Sequence, residues 1–178
     1  METKISSTNE MNGSFLQFST DLVTLPSGDV AQRDLVKHPG GVCIVCNVDG
    51  KMLCVKQFRY AVGDFTIEIP AGKLDKNEDH KVAINRELIE ETGYEANNLQ
   101  YMGPFIPAPG FSDEVIHMYY SDDVVISKNP KGYQPDEDED IEVMLLSCDE
   151  LFELLENHQL GDYKTAFGFM YFLNKMGK

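Results

Sequence analysis

The sequence predicts one mixed α+β domain in which helices pack on the faces of a β-sheet. Two observations predict this fold class. The chain has 178 residues, of which 42% are hydrophobic and 25% charged, so it has the size and composition of one ordinary globular domain. Strand-like apolar segments come first, one strongly helical segment follows, and further strands and two helices complete the order. No internal repeat or low-complexity linker divides the sequence.

The N-terminal segment is predicted to be a hairpin that follows a disordered start. Residues 1–14 are rich in Ser, Thr and Asn and are expected to be disordered. Phe15–Leu25 is predicted as a strand, and the turn signal at Pro26-Ser27-Gly28-Asp29 allows Val30–Val36 to return antiparallel to it. Residues 15–40 are therefore expected to form an N-terminal β-hairpin.

Residues 41–178 are predicted to form the main domain. Val42–Asn47 is an apolar segment typical of a strand, and a turn at Asp49-Gly50 joins it to a partner strand over Met52–Phe58. Further strands are predicted at Asp64–Ile69, Leu99–Gly103, Glu114–Ser121 and Ile141–Leu146.

Three helices are predicted in this main domain. The first extends from about Asp79 to Thr92 and is ended by Gly93 as a C-cap. Ser147 and Glu150 have the spacing of a capping box and open the second helix. The third is predicted from about Tyr163 to Asn174.

The charge excludes several classes of partner. With 15 basic and 30 acidic residues the formal charge is −15, which disfavours nucleic acid and anionic membranes. No apolar run approaches the ~20 residues of a membrane span, and the polar N-terminus has no signal-peptide core.

The cysteines indicate a reducing compartment. Cys43 and Cys46 have the spacing of half a zinc site, but no second Cys or His pair accompanies them. We therefore expect buried thiols and a cytoplasmic protein.

The first predicted helix concentrates acid on one side. Glu87, Glu90 and Glu91 cluster on one arc of a helical wheel, opposite the apolar side chains Val82, Ile84, Leu88 and Ile89. Glu87 and Glu91 form a repulsive i,i+4 pair, whereas a solvated helix face would favour pairs of opposite charge. The alternatives are therefore an acidic surface face and a face that binds a hard divalent cation.

The same segment resembles the Nudix box, whose pattern is G-x5-E-x7-R-E-U-x-E-E-x-G-U with U apolar. All fixed positions match, and Leu88 and Tyr94 fill the two apolar places. The fixed residues are Gly72, Glu78, Arg86, Glu87, Glu90, Glu91 and Gly93. The resemblance implies the Nudix fold, a mixed sheet sandwiched between helices, and hydrolysis of a nucleoside diphosphate linked to another group.

Motifs outside the box resemble the ADP-ribose pyrophosphatases within this family. They are Val55–Tyr60, Glu68–Gly72 and Ala108–Glu114, and the resemblance extends over about Phe15–Asn174. GDP-mannose pyrophosphatases look similar in these segments. The implied activity is hydrolysis of ADP-ribose to AMP and ribose 5-phosphate. The alternatives are another sugar nucleotide such as GDP-mannose, or a non-catalytic ADP-ribose sensor.

The resemblance also implies a metal site. The cofactor is expected to be Mg²⁺ or Mn²⁺, with carboxylate ligands from Glu87, Glu90 and Glu91 and the backbone carbonyl of Ala71 as a further ligand. Arg86 is expected to hold the acidic cluster together, with a plain surface pair to Glu90 as the alternative.

The remaining roles follow from the same resemblance. The general base is expected on the acidic loop that precedes the last strand, at Glu137 or alternatively Glu139. Substrate contacts are expected from Arg59, Glu68, Gly110 and Glu114. The family also implies a homodimer formed through the N-terminal strands.

Overall fold

The structure is a computed structural model that describes residues 1–128 and 140–177. The strands of the described residues are β1 (Thr3–Asn12), β2 (Gln17–Thr24), β3 (Val30–Lys37), β4 (Gly41–Val48), β5 (Lys51–Arg59), β6 (Asp64–Glu68), β7 (Ala71–Lys73), β8 (Tyr94–Ala96), β9 (Gln100–Phe105), β10 (Ile116–Ser121), β11 (Val124–Ile126) and β12 (Ile141–Leu146). The helices are α1 (His80–Thr92), α2 (Cys148–Glu156) and α3 (Tyr163–Lys175).

A mixed seven-stranded sheet forms the centre of the domain. Its order is β12-β5-β4-β10-β9, with β6 paired to β5 and β7 paired to β4. β4 and β10 are parallel, with Ile116 opposite Gly41, whereas the β4–β5 hairpin is antiparallel. That hairpin turns at Asp49 and Gly50, which both have positive φ (51° and 81°), as a tight two-residue turn requires.

Helices cover both faces of this sheet, as predicted. Successive side chains of a strand point to opposite faces. Val45 of β4 therefore packs in one core with Phe169 of α3, and its neighbour Ile44 packs in the other with Leu88 of α1. The sandwich places α1 on one side of β4 and α3 on the other.

The N-terminal strands form a separate sheet of order β1-β2-β3. The predicted antiparallel hairpin is confirmed, with Gln17 opposite Lys37 at one end of the β2–β3 pair and Thr24 opposite Val30 at the other. The turn between them contains Gly28 at φ 92°.

Residues 1–14 differ from the expected disorder, because Thr3–Asn12 forms a strand, β1, antiparallel to β2. Nearly all of its side chains are exposed. The segment therefore needs no alternation of apolar and polar residues, and its sequence shows none. Backbone pairing holds the strand, together with polar contacts: Ser7 Oγ donates to Asp21 Oδ1 at 2.7 Å and Lys4 Nζ lies 2.9 Å from Asp21 Oδ2.

Helix α1 has the predicted C-cap at Gly93, and Asp79, predicted as its first residue, is its N-cap, but the buried stripe differs from the expected one. The Asp79 side chain accepts the Lys81 N–H at 2.8 Å, and Gly93 ends the helix at φ 72°. Val82, expected on the core side, is exposed because it lies about 160° from Ile84 around the helix axis. Ala83 is buried in its place.

The two C-terminal helices are also capped as their sequences indicate. Ser147 and Glu150 form the predicted capping box of α2, and Asp162 caps α3 by accepting the Thr165 N–H. The helices of the described residues contain 13, 9 and 13 residues. None of these is long and apolar enough to cross a membrane.

The packing of α3 on the sheet predicts a large effect of one core substitution. Phe169 has no solvent exposure, and its ring meets that of Phe152 edge-to-face with 4.9 Å between centroids. Phe169→Ala is expected to lower the free energy of unfolding by about 3–5 kcal/mol, because it leaves a cavity. Met170→Ala, at the adjacent position that is 60% exposed, should change it by less than about 1 kcal/mol.

Urea denaturation of the two variants measures this difference. A loss for Phe169→Ala no larger than that for Met170→Ala would contradict the assignment of Phe169 to the core.

Candidate active site

A cavity of about 880 Å³ lies between β7, α1 and the start of α3. One wall carries Glu87, Glu90 and Glu91 from α1, and we call it the acidic wall. Another carries Arg59 from the end of β5 and Lys164 from the first turn of α3, and we call it the basic wall. The cavity therefore brings the predicted metal ligands and the predicted phosphate contact together.

Arg86 binds three carboxylates around its guanidinium group. Its Nε and Nη2 donate to the two oxygens of Glu78 at 2.9 and 2.8 Å, and its Nη1 donates to Glu87 and Glu90 at 2.9 and 2.8 Å. Nη2 also donates to the carbonyl oxygen of Lys73 at 3.2 Å. We call these residues the Arg86 clasp. The alternative of a plain surface pair with Glu90 is thus too simple, because that pair is one of five hydrogen bonds that Arg86 donates.

The clasp also explains the ionisation of its members. The hydrogen bonds from Arg86 lower the pKa of Glu78, and those with Glu78 raise the pKa of Arg86 above its usual range. Charge-assisted bonds of this kind favour the ionised forms of both partners. Glu78 therefore anchors the loop after β7 to α1 as a carboxylate.

Glu91 is the most buried acid of α1, with only 4% of the residue exposed. Its Oε2 accepts the backbone N–H of Ala71 at 3.0 Å, which ties β7 to the helix. A solvated helix face would not bury this side chain. Glu91 and Ala71 therefore lie side by side, as a shared ligand set requires.

Gly72 makes the close approach of β7 and α1 possible. A Cβ atom built on Gly72 would lie 1.9 Å from the carboxyl carbon of Glu87, far inside van der Waals contact. Any other residue would displace the Glu87 side chain from the space above β7. The backbone of Gly72 does not have the left-handed φ that favours glycine. A glycine is thus needed here because it leaves space for the Glu87 side chain.

The residues present fit a hard divalent cation. Carboxylates and a backbone carbonyl are the oxygen donors that Mg²⁺ takes, and Gly72 leaves space beside Glu87. Over residues 1–128 and 140–177, no three His, Cys, Asp or Glu side chains are grouped so that they could hold a metal ion by themselves. Mg²⁺ usually keeps several waters and uses substrate phosphates as further ligands, so it needs fewer protein ligands than a dedicated cage provides.

The basic wall is organised around Glu68. Arg59 grips this carboxylate with two parallel bonds, Nε to Oε1 at 2.7 Å and Nη2 to Oε2 at 2.9 Å. Thr66 Oγ1 donates to Oε1 at 2.6 Å and Lys164 Nζ donates to Oε2 at 3.3 Å. Burial alone would raise the pKa of Glu68, but these partners outweigh it and lower the pKa to about 2.

The other predicted substrate residues lie in different surroundings. Glu114 lines the cavity, with its carboxylate 3.6 Å from Nδ1 of His38. Gly110 does not line it; it lies in the exposed loop between β9 and β10. That loop is joined to β3, where the Val36 N–H donates to the Phe111 carbonyl at 2.7 Å.

The predicted general bases, Glu137 and Glu139, lie outside the described residues. Their role stays a prediction from the sequence. The described chain resumes at Asp140, immediately before β12.

Some cavity residues were not found from the sequence. Phe15 and His38 meet edge-to-face with 5.6 Å between ring centroids, and Lys73 Nζ lies 4.6 Å from the Phe15 centroid. Tyr163 and Lys164 reach the cavity from α3. Two sequence signals lie close to these residues. They are the His38-Pro39-Gly40 turn before β4 and the N-cap residue of α3, Asp162.

Comparisons with known proteins agree on the family to which this chain is similar. The NUDIX domain family matches residues 36–167. The chain is 36% identical over 171 residues to ADP-ribose pyrophosphatase of Bacillus subtilis and 35% identical over 171 residues to methanol dehydrogenase activator of Bacillus methanolicus. Each match covers 96% of this chain and 91% of the relative.

More distant matches point the same way. GDP-mannose pyrophosphatase of Escherichia coli is 33% identical over 137 residues, which cover 71% of this chain and 69% of that protein. A solved structure described as an ADP compounds hydrolase superposes with a TM-score of 0.83 at 17% identity, covering 99% of this chain and 96% of that one. At this identity the superposition shows the fold alone.

The chain belongs to the Nudix hydrolase family. Within that family its similarity extends over nearly the full length of an ADP-ribose pyrophosphatase. The resemblance found in the sequence is confirmed, and so is the predicted fold.

The space above β7 generates the first prediction for the site. Gly72→Ala is expected to weaken Mg²⁺ or Mn²⁺ binding by about 10- to 100-fold, because Glu87 must move away from the added methyl group. Isothermal titration with either cation measures this. Gly161→Ala, where an added Cβ meets nothing within 4 Å, is the control. Unchanged affinity in Gly72→Ala would contradict the need for the close approach.

Glu68 generates a prediction of pH dependence. Its pKa falls from 4.5 to about 2 on folding, so between these values the unfolded state binds more protons and stability rises with pH. Wild type should therefore exceed Glu68→Gln in free energy of unfolding by a constant amount above about pH 5, and by less as the pH falls toward 2. Urea denaturation at several pH values tests this. A difference that grows on acidification would contradict it.

Proposed function

We propose that this chain hydrolyses the diphosphate of ADP-ribose, with Mg²⁺ or Mn²⁺ as cofactor, to AMP and ribose 5-phosphate. The observation that carries the proposal is that an acidic wall and a basic wall line one cavity. A diphosphate needs both, since a cation bound to the acids and the fixed cations Arg59 and Lys164 can together screen its charge. The names of the relatives support ADP-ribose as the substrate.

Glu87, Glu90 and Glu91 would hold the divalent cation together with the carbonyl oxygen of Ala71. When bound, the cation supplies charge screening and acidifies the attacking water. Arg86 acts on this set indirectly. Its hydrogen bonds to Glu87 and Glu90 hold these two negatively charged side chains near each other when no substrate is bound.

The chain's other residues bind and orient the substrate. Arg59 offers its guanidinium group to a phosphate, while Glu68 fixes the direction of that group. Glu114, which lines the cavity, accepts hydrogen bonds from ribose hydroxyls in this proposal. The half-exposed ring of Phe15 offers an apolar contact for a nucleobase. Gly110, in the loop between β9 and β10, contacts the substrate in this proposal only when that loop closes over it.

The water that attacks phosphorus must lose a proton. Glu137, or Glu139 in its place, accepts that proton in this proposal, since carboxylates bound to a cation are poor bases. The bridging P–O bond then breaks, and its oxygen leaves with one of the two monophosphate products.

GDP-mannose is the second candidate substrate, because a GDP-mannose pyrophosphatase is among the relatives. The chemistry at the diphosphate is the same for both, so the base and the sugar decide between them. A panel of sugar nucleotides compared by kcat/KM distinguishes the two. A non-catalytic sensor would bind ADP-ribose without forming AMP.

We also propose a homodimer and a cytoplasmic location. The sheet β1-β2-β3 exposes Ile5, Met11 and Val30, which a second copy of the chain could cover. Cys43 and Cys54 are unpaired and buried, and burial raises the pKa of each thiol to about 12. Such inert thiols suit a reducing compartment. Light scattering in solution tests the dimer.

The proposed activity predicts a defined product and a defined loss. Wild type with Mg²⁺ should release AMP from ADP-ribose, as measured by chromatography. Glu91→Gln keeps the size of the side chain but removes a proposed ligand charge, so its kcat should fall by about 100-fold or more. Glu153→Gln, on the exposed side of α2, should be unchanged.

Two outcomes would contradict the proposal. One is a folded wild type that releases no AMP with either cation; the other is wild-type turnover in Glu91→Gln. Glu137→Gln and Glu139→Gln, assayed in parallel, identify the base as the variant with slowed chemistry at unchanged cation affinity.

A further inference from the structure

We infer that Lys164 is a positioning residue for Arg59: through the carboxylate that both bind, Glu68, it fixes the guanidinium group against the substrate phosphate. The inference deepens the proposed function and rests on it for the identity of the substrate. It concerns a residue that the Nudix box does not contain and that lies about 70 positions beyond it.

Lys164 meets the same carboxylate as Arg59. Its Nζ lies 3.3 Å from Glu68 Oε2, the oxygen that also accepts from Arg59 Nη2 at 2.9 Å. Its second partner is Asp162, whose Oδ1 lies 2.7 Å from Nζ. Only 15% of the lysine side chain is exposed, against 39% for that of Arg59. Lys164 thus stands behind Glu68 while Arg59 reaches further into solvent.

The start of α3 is fixed to the strand that carries Glu68. Asp162 Oδ2 accepts from Thr165 Oγ1 at 2.6 Å, and Thr165 Oγ1 accepts the Ile69 N–H at 2.8 Å. Ile69 follows Glu68 directly and comes two residues before Ala71. The ammonium group is therefore held at a defined place relative to both Glu68 and the proposed metal ligand.

The charges of this group balance. Arg59 and Lys164 are two cations, and Glu68 and Asp162 are two anions. Burial disfavours a charged lysine, but the charges of Asp162 and Glu68 outweigh it and raise the pKa of Lys164. Without Lys164, the Glu68 carboxylate would lose one of its three donor residues, Arg59, Thr66 and Lys164. Its orientation would then be less fixed, and so would that of the guanidinium group bound to it.

Lys164 also contributes to stability, because removing one partner of a buried ion pair leaves the other charge less compensated. Arg59 and Thr66 still bind Glu68 in Lys164→Met, so this variant should retain the fold at lower stability. Glu68 then loses one of the donors that fix its carboxylate, and Arg59 is held less rigidly. Lys164 and Arg59 both line the cavity and both bind Glu68 Oε2, so a change at one can reach the other through this carboxylate.

Kinetics of Lys164→Met test the inference. With ADP-ribose and Mg²⁺, kcat/KM should fall by about 10- to 100-fold, mainly through a raised KM, and Lys164→Arg should recover part of it. Lys175→Met is the matched control, since this lysine of the same helix lies over the rings of Tyr120 and Tyr171 and should leave kcat/KM unchanged.

A double-mutant cycle distinguishes action through Arg59 from independent action. In an Arg59→Ala background, Lys164→Met should change kcat/KM by less than about twofold, because the group that it positions is gone. An equal fall in both backgrounds would overturn the inference, and so would an unchanged kcat/KM in Lys164→Met alone.

A measurement without substrate separates this inference from the proposed function. In ¹⁵N spectra the Arg59 Nε–H signal, assigned by its loss in Arg59→Lys, should exchange with water faster in Lys164→Met than in wild type or Lys175→Met. Unchanged exchange would overturn the inference even if ADP-ribose is a substrate. Faster exchange in Lys164→Met, together with a wild type that forms no AMP, would contradict the proposed function only.

Discussion

One guanidinium group surrounded by carboxylates is the constraint on which the rest of this site depends. Arg86 joins Glu78, Glu87 and Glu90 within 2.8–2.9 Å, and Glu91 lies buried one turn further along α1. A single cation cannot balance this many acids, so the cluster stays electronegative and favours a divalent cation. In the proposed function, the Arg86 clasp would restrain Glu87 and Glu90 before a cation binds. Pre-organisation of this kind lowers the cost of binding.

The fold provides what the clasp needs on either side. The alternation of β4 sends Ile44 toward α1 and Val45 toward α3, so both helices are fixed to one strand. Glu91 then binds the Ala71 N–H, and Thr165 binds the Ile69 N–H. Residues 69–71 are thus held from both faces of the sheet, by α3 through Thr165 and by α1 through Glu91.

Much of this could be predicted from the sequence, since it depends on local pattern. The C-cap of α1, the turn at Asp49-Gly50 and the spacing of the box acids are short-range features, and each is present in the structure. What escaped prediction depends on tertiary contact. The strand β1 is polar and is held by pairing with β2, and Lys164 meets Glu68 across 96 positions of sequence. Val82 was misplaced because a broad apolar arc does not define which side chains reach the core.

The most direct test of this account measures the response of stability to a divalent cation. The melting temperature of wild type should rise by roughly 5–10 °C at a Mg²⁺ concentration near 100 times the dissociation constant. The double variant Glu87→Gln/Glu91→Gln should show almost no rise, and potassium chloride of equal ionic strength should have little effect on either protein. An equal rise in both proteins, or no rise in wild type, would contradict the claim that the acids of α1 form a cation site.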